Sequence, residues 1–255
     1  MSHPSQPKGQ LPMAQELTVD RDSGVVAIEL PGGLLTSATV QRLVAAIEDT
    51  ILDDDTVRVV VLGVAGPDFC TGLDPSAAQL RQRVDPAAAV AAIPVPVLVG
   101  LDGLVASGGL EIAMAGDIRI AGPGTRFAID DLSDGVLPCW GGTQRLPRLV
   151  GITRATAMLF LGDRLDADAA VRAGLLTRIA DDPVAAVMDA ATTIAALAPI
   201  ALRYAKEAVT SGVAMDMRHG MQLEADLNSF LQLTDDRDEG LTAFFERRPP
   251  TFHGR

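Results

Sequence analysis

Acidic side chains and glycines, rather than histidines or cysteines, are the residues of this 255-residue chain placed where they could do chemistry. Glu111 lies three residues after Gly108, at the end of Asp102-Gly103-Leu104-Val105-Ala106-Ser107-Gly108-Gly109-Leu110-Glu111, a stretch that follows an apolar run ending at Leu101. Gly72 closes a comparable stretch, Gly66-Pro67-Asp68-Phe69-Cys70-Thr71-Gly72-Leu73-Asp74, after the apolar run Val57 to Val64. Asp130, Asp131 and Asp134 then fall within five residues. Glycines just past apolar strands let the backbone bend and leave no Cβ to block a ligand. Ser107-Gly108 also opens a helix, where unpaired N–H groups and the positive end of the dipole face outward. Such a place prefers an anion, or a carbonyl oxygen becoming one. Two carboxyls around one substrate can hold a water, take its proton and deliver another to carbon. The plainer reading is also open: glycines serving tight turns, a glutamate favoured by a helix N-terminus, and a solvated acidic loop.

Other chemistries lack their residues. The three histidines are His3, His219 and His253; two sit near the chain ends and His219 falls in a helical stretch, so a Ser-His-Asp or Cys-His device has no natural partner. No Walker phosphate loop, dinucleotide glycine fingerprint or metal-ligand spacing occurs, so no metal and no separate cofactor are expected. Cys70 and Cys139 are too few for a disulfide framework or a thiolate zinc site and fit a reduced, cytoplasmic protein. Lys plus Arg is 21 against 33 Asp plus Glu, a net charge of −12 at pH 7. That surface repels phosphate backbones and anionic lipids, so neither nucleic acid nor membrane is an expected partner. No apolar run approaches the roughly 20 residues needed to span a bilayer. Met1 to Met13 has no charged-then-apolar order and reads as a frayed tail rather than a leader.

The positioning elements follow from periodicity. Val25 to Leu30, Val57 to Val64, Pro94 to Leu101, Asp117 to Ala121 and Leu175 to Ala180 read as strands. Val57 to Val64 is apolar enough to be buried on both faces. Thr36 or Ser37 caps a helix to about Leu52, with Val40, Leu43, Val44 and Ile47 on one face. Helices are expected over Gly108–Ala115, Gly141–Val150, Arg154–Leu161 and Asp166–Ala173. After Pro183 the pattern is helical almost throughout, at Val184–Leu197, Pro199–Ser211, Met215–Leu233 and Asp236–Arg248. The result is an α/β class: a tail over 1–15, an α/β core over 16–198 and an all-helical lobe over 199–255. Met217, Met221, Leu223, Leu227, Phe230 and Leu231 exceed one core-facing stripe, which fits either a helix inside its own lobe or a subunit interface.

A third stretch completes a pattern. Phe127-Ala128-Ile129-Asp130-Asp131-Leu132-Ser133-Asp134-Gly135-Val136-Leu137-Pro138-Cys139-Trp140 leads into Gly141-Gly142-Thr143-Gln144-Arg145-Leu146, and the chain closes with Ala243-Phe244-Phe245-Glu246-Arg247-Arg248. With the two glycine stretches, in this order and spacing, the chain resembles the enoyl-CoA hydratase/isomerase (crotonase) superfamily from about Val25 to Phe252. The resemblance implies a spiral ββα core with a C-terminal helical oligomerisation lobe, a trimer or a dimer of trimers, and an acyl-CoA thioester substrate whose coenzyme A is part of the substrate. It implies that the N–H groups of Leu73 and Gly108 form the oxyanion hole, with Gly72, Asp74 and Trp140 among the residues that bind the substrate. Glu111 and Asp131 then position the water that adds to a trans-2-enoyl-CoA; an isomerase or a binding-only homologue shares the same pocket. Phe244 and Arg247 match residues that reach the coenzyme, with Arg81, Arg83 and Arg248 as further cations.

Two departures stand out. Asp131 replaces a glutamate, which withdraws its oxygens by roughly 1.5 Å on a fixed backbone, and a misplacement of about 1 Å can cost on the order of 100-fold in rate. Cys139-Trp140 replaces small residues; Cys139 is expected to pack, and Trp140 to narrow the acyl pocket or stack on an unusual acyl group.

Overall fold

The computed structural model describes residues 18–52, 54–64 and 66–255, so the expected tail over 1–15 lies outside them. Six strands form the main sheet in the order β1 (Thr18–Asp22), β2 (Val25–Leu30), β4 (Val59–Val64), β6 (Val97–Leu101), β8 (Ile118–Ala121), β11 (Arg178–Ile179). Only β1 pairs antiparallel; the rest run parallel. Every residue of β4 and β6 is buried, as their unbroken apolar sequence requires. Their side chains alternate between two cores: Val60, Leu62, Val97 and Val99 face one, Val59, Val61 and Leu98 the other. Parallel strands covered on both faces explain why no polar alternation is legible there.

Helix α1 (Ser37–Thr50) begins at Thr36, whose hydroxyl accepts the Thr39 N–H at 3.1 Å, and buries Val40, Leu43 and Ile47. With α2 (Pro75–Leu80), α3 (Pro86–Ala92) and α4 (Gly108–Ala115) it lies on the larger core, whereas α8 (Pro183–Ala195) seats Val187 and Ala191 on the opposite face. Between these come α5 (Gly142–Val150), α6 (Ile152–Leu161) and α7 (Ala167–Ala173). The chain ends in α9 (Pro199–Gly212), α10 (Met217–Leu231) and α11 (Asp235–Glu246). No single helix among the described residues is long and apolar enough to cross a membrane.

Two small sheets carry the candidate site. β3 (Leu34–Leu35) pairs with β5 (Gly72–Leu73), and β7 (Leu104–Ala106) with β9 (Arg126–Ala128), which also pairs with β10 (Leu165–Asp166). Strands of two or three residues carry too little periodicity to be read from sequence. The expected strand over 175–180 shrinks to Arg178–Ile179, because the N–H groups of Leu175 and Leu176 are taken by the Ala170 carbonyl in closing α7. In α10, Met217, Met221 and Phe230 are exposed and only Leu227 is buried, so a helix packed inside its own lobe does not describe this chain alone.

Candidate active site

Backbone pairing brings the two glycine stretches together. Cys70 bridges to Val105; its N–H donates to the Leu104 carbonyl at 2.9 Å, and the Ala106 N–H donates to its carbonyl at 2.8 Å. That places β5 beside the entry to α4. Ser107, just before the helix, takes φ +46° and ψ −120°, an unfavourable conformation for a residue with a Cβ. The Ser107 N–H bonds to the Ala128 carbonyl at 3.0 Å and its hydroxyl makes no cap to α4, so the turn is held from β9 instead. The first amides of α4 consequently have no acceptor within the helix. A methyl group at Gly108 would lie 2.6 Å from the Trp140 ring and 2.9 Å from the Leu73 side chain, so only glycine fits where the Leu73 side chain packs against the start of α4.

Glu111 is fully buried on the first turn of α4. Its Oε1 accepts the N–H of Trp140 at 2.8 Å and of Gly142 at 2.7 Å, while Oε2 has no partner. Burial, with the nearby Asp131 charge adding to it, pushes its pKa up to about 7 against the two amide donors and Arg81. Asp131 opens a 3₁₀ turn over Asp131–Asp134 and is 4% exposed. It is no solvated loop residue: Oδ1 pairs with the Arg81 guanidinium, itself almost buried, while Asp131 Oδ2 and Arg81 Nε have no partner. Three unpaired buried polar atoms in one cluster mark a place for a polar ligand or water.

Trp140 lies at full burial in the core, its indole N–H donating to the Val84 carbonyl at 2.9 Å. Its carbonyl accepts Arg145 Nη1 at 2.7 Å, so the arginine of the Gly-Gly-Thr-Gln-Arg-Leu motif braces the loop that holds Glu111. Cys139 corrects its expectation: the side chain is exposed rather than packed, with Sγ 3.6 Å from the Arg81 carbonyl. A cavity of about 580 Å³ borders this loop, lined by Asp85, Pro138, Cys139, Gly141 and Arg145.

Asp74, Phe244 and Arg248 are engaged outside this cluster. Asp74 is the N-cap of α2, its Oδ1 accepting the Ala77 N–H at 2.8 Å and the Ser76 hydroxyl at 2.7 Å. Gly72 precedes Leu73 in β5 with φ +142°. Phe244 is 77% exposed, stacked edge-on against Phe245 and not in a core; Arg247 follows in a left-handed turn that ends α11. Arg248 is engaged by Glu239 and Glu246, and Arg81, expected as a coenzyme cation, is spent on Asp131. The Arg81–Asp131 pair spans 50 residues and left no signal in the sequence. Among the described residues no group of three or more metal-binding side chains exists.

Known proteins resemble this chain over most of its length. The enoyl-CoA hydratase/isomerase family model matches residues 22–255. The mouse (Mus musculus) mitochondrial methylglutaconyl-CoA hydratase is 30% identical over 238 residues, covering 86% of this chain and 75% of that protein. An enoyl-CoA isomerase/hydratase, fer4, of Mycosarcoma maydis is 33% identical over 233 residues, covering 84% and 83%. The crystal structure of an enoyl-CoA hydratase from Bacillus anthracis superposes with a TM-score of 0.86 at 32% identity, over 94% of this chain and all of that one. With its parallel core sheet, its glycine-opened helix and its helical C-terminal end, the chain belongs to the enoyl-CoA hydratase/isomerase (crotonase) family.

Proposed function

We propose that the protein hydrates a trans-2-enoyl-CoA to a 3-hydroxyacyl-CoA. The observation that carries this reading is the meeting of two buried carboxyls, Glu111 and Asp131, each with an unpaired oxygen, beside the opening of α4 at Gly108 and Leu73. The thioester oxygen sits against the Leu73 and Gly108 amides, which accept the charge that grows there as water adds. One preorganised donor of this kind is worth roughly 2.7–4 kcal/mol in other enzymes. The carboxyls hold the water and exchange protons with it and with the α-carbon, so no cofactor beyond the substrate's own coenzyme A takes part. Phe244 and Arg247 serve the coenzyme of a neighbouring copy in a trimer or dimer of trimers, a reading supported by the exposed apolar side chains Phe160, Met217, Phe230, Phe244 and Phe245.

A second reading, double-bond isomerisation, draws on the full burial of Glu111 and Trp140, since a proton shuttle needs no water. A panel of enoyl-CoA thioesters separates them. Hydration removes the conjugated thioester absorbance and incorporates solvent oxygen; isomerisation of a 3-enoyl-CoA increases that absorbance. Glu111→Gln and Asp131→Asn should each abolish turnover. Parent-like rates in both variants would end the two-carboxylate reading, and ligand-induced thermal stabilisation without turnover would leave a binding protein.

A further inference from the structure

A cavity lined by none of Leu73, Gly108, Glu111 or Asp131 opens between the α5–α6 turn, α6, β10 and the end of α7. Its volume is about 730 Å³, and its lining carries three cations, Arg154, Arg164 and Arg172, against one acid, Asp163. On a chain of net charge −12 this is a concentrated positive site. Arg164 is tied to the Asp130 carboxylate at 3.3 Å, whereas the Arg154 and Arg172 guanidiniums have no hydrogen bond or ion pair among the described residues. Arg154 stands on the first turn of α6 and Arg172 in the last turn of α7. The α6 helix starts at Gly151 without a side-chain cap, and its first internal bond runs from the Ala155 N–H. The N–H groups of Ile152, Thr153 and Arg154 therefore have no acceptor within the helix. A methyl group on Gly151 would meet nothing within 4 Å, so the turn beside the arginines lies open.

We infer that this cavity binds the phosphate group of a sugar or nucleotide phosphate. Charge selects the group. Three arginines and one aspartate leave the lining two positive charges in excess, which a phosphate monoester, at about −1.5 to −2 near pH 7, matches and a single carboxylate does not. Guanidinium forks also fit phosphate oxygens in pairs, with the free N–H groups of α6 as further donors. Size selects an organic phosphate. The cavity falls within the roughly 300–1,000 Å³ of small-molecule sites and is far larger than one phosphate ion fills. Met158 and Leu165, both buried, with Val150 give an apolar wall for the rest of the ligand, and Asp163 offers an acceptor to a sugar hydroxyl. This chemistry has two sources: a free nucleotide or sugar phosphate, and the phosphorylated adenosine end of a coenzyme A thioester, for which Arg81 and Arg248 are already spent on carboxylates.

The test is calorimetric titration of the full chain with inorganic phosphate, adenosine 3′,5′-bisphosphate and adenosine. The bisphosphate binds the parent, inorganic phosphate competes with it, and adenosine binds far more weakly. Arg154→Gln and Arg172→Gln, both at exposed positions, each weaken the bisphosphate on the order of 10-fold or more and leave the melting temperature unchanged. Butyryl-CoA then separates the two sources. If it displaces the bisphosphate and is itself weakened by Arg154→Gln, the phosphate is the coenzyme's own; if both bind together, the cavity takes a separate phosphorylated compound. The inference is overturned if neither inorganic phosphate nor the bisphosphate binds the parent more tightly than about 1 mM. It also falls if adenosine binds as well as the bisphosphate, or if Arg247→Gln alone weakens the bisphosphate. Light scattering supplies a last arm: arginine variants that dissociate an assembly while binding the bisphosphate at parent strength would make Arg154 and Arg172 subunit contacts instead.

Discussion

Glu111→Gln is expected to make the protein more stable at neutral pH while abolishing its chemistry. The wild-type carboxyl is fully buried, and its pKa rises from the ordinary value of 4.5 to about 7, first through burial. Between those values the unfolded chain ionises while the folded one keeps its proton, so the native state binds more protons and stability falls as pH rises. The loss begins near pH 4.5 and is complete above about 7. At about 1.36 kcal/mol per pH unit the wild type forfeits roughly 3 kcal/mol across that window. Glutamine keeps the carbonyl that accepts the Trp140 and Gly142 N–H groups but has no charge to bury. The variant should match the parent near pH 4.5 and exceed it above pH 7 by roughly 6–12 °C in melting temperature, at about 2–4 °C per kcal/mol for a domain near this size. Thermal unfolding of both proteins at half-unit pH steps gives the difference curve, in which the other carboxylates cancel. A melting-temperature difference independent of pH, or one that turns against the variant as pH rises, would refute the buried-carboxyl argument.

Other outcomes follow from single contacts. Trp140→Ala should cost about 3–5 kcal/mol from the cavity left by a fully buried ring and shift the acyl preference toward bulkier thioesters, since the ring lies against Gly108; melting temperature and kcat/KM across an acyl series check both. Trp140 is the single tryptophan, so an emission spectrum typical of an exposed indole would contradict its placement directly. Asp236→Ala should lose on the order of 3 kcal/mol and open the last residues to protease, because its carboxylate accepts the His253 and Gly254 N–H groups at 2.6 and 2.8 Å. Asp74→Ala should remove a helix cap worth about 1 kcal/mol and leave KM unchanged; a raised KM at unchanged melting temperature would place Asp74 on the substrate instead.

Much of the core was legible because its signal is local. The apolar runs at Val59–Val64 and Val97–Leu101 read as buried strands, and the expected helices begin within two residues of those observed, whereas α2 and α3, each opened by an aspartate cap and a proline, were not expected. The first turn of α4, with Glu111 on it, could be placed from Ser107-Gly108 and the run before them. Illegible pieces are those whose stability comes from distant partners. β3, β5, β7, β9 and β10 exist because they pair with one another, not because two or three residues prefer extension. Cys139 and Trp140 show the same limit: adjacent in sequence, one is exposed and the other fully buried, a division set by the Val84 carbonyl and the space beside Gly108.

The sequence by itself determined the family, since the two glycine stretches, the acidic stretch leading into Gly141-Gly142-Thr143-Gln144-Arg145-Leu146 and the closing Ala243-Phe244-Phe245-Glu246-Arg247-Arg248 occur in its order and spacing. Only the tertiary structure decided the electrostatics of the candidate site. Whether a carboxyl keeps or loses its proton depends on burial and on charges within a few ångströms, and those neighbours, Arg81 for Asp131 and the Trp140 and Gly142 amides for Glu111, come from chain segments 29 to 50 residues away. Sequence order carries side-chain identity and local backbone preference; distance through space, on which Coulomb's law acts, exists only after folding.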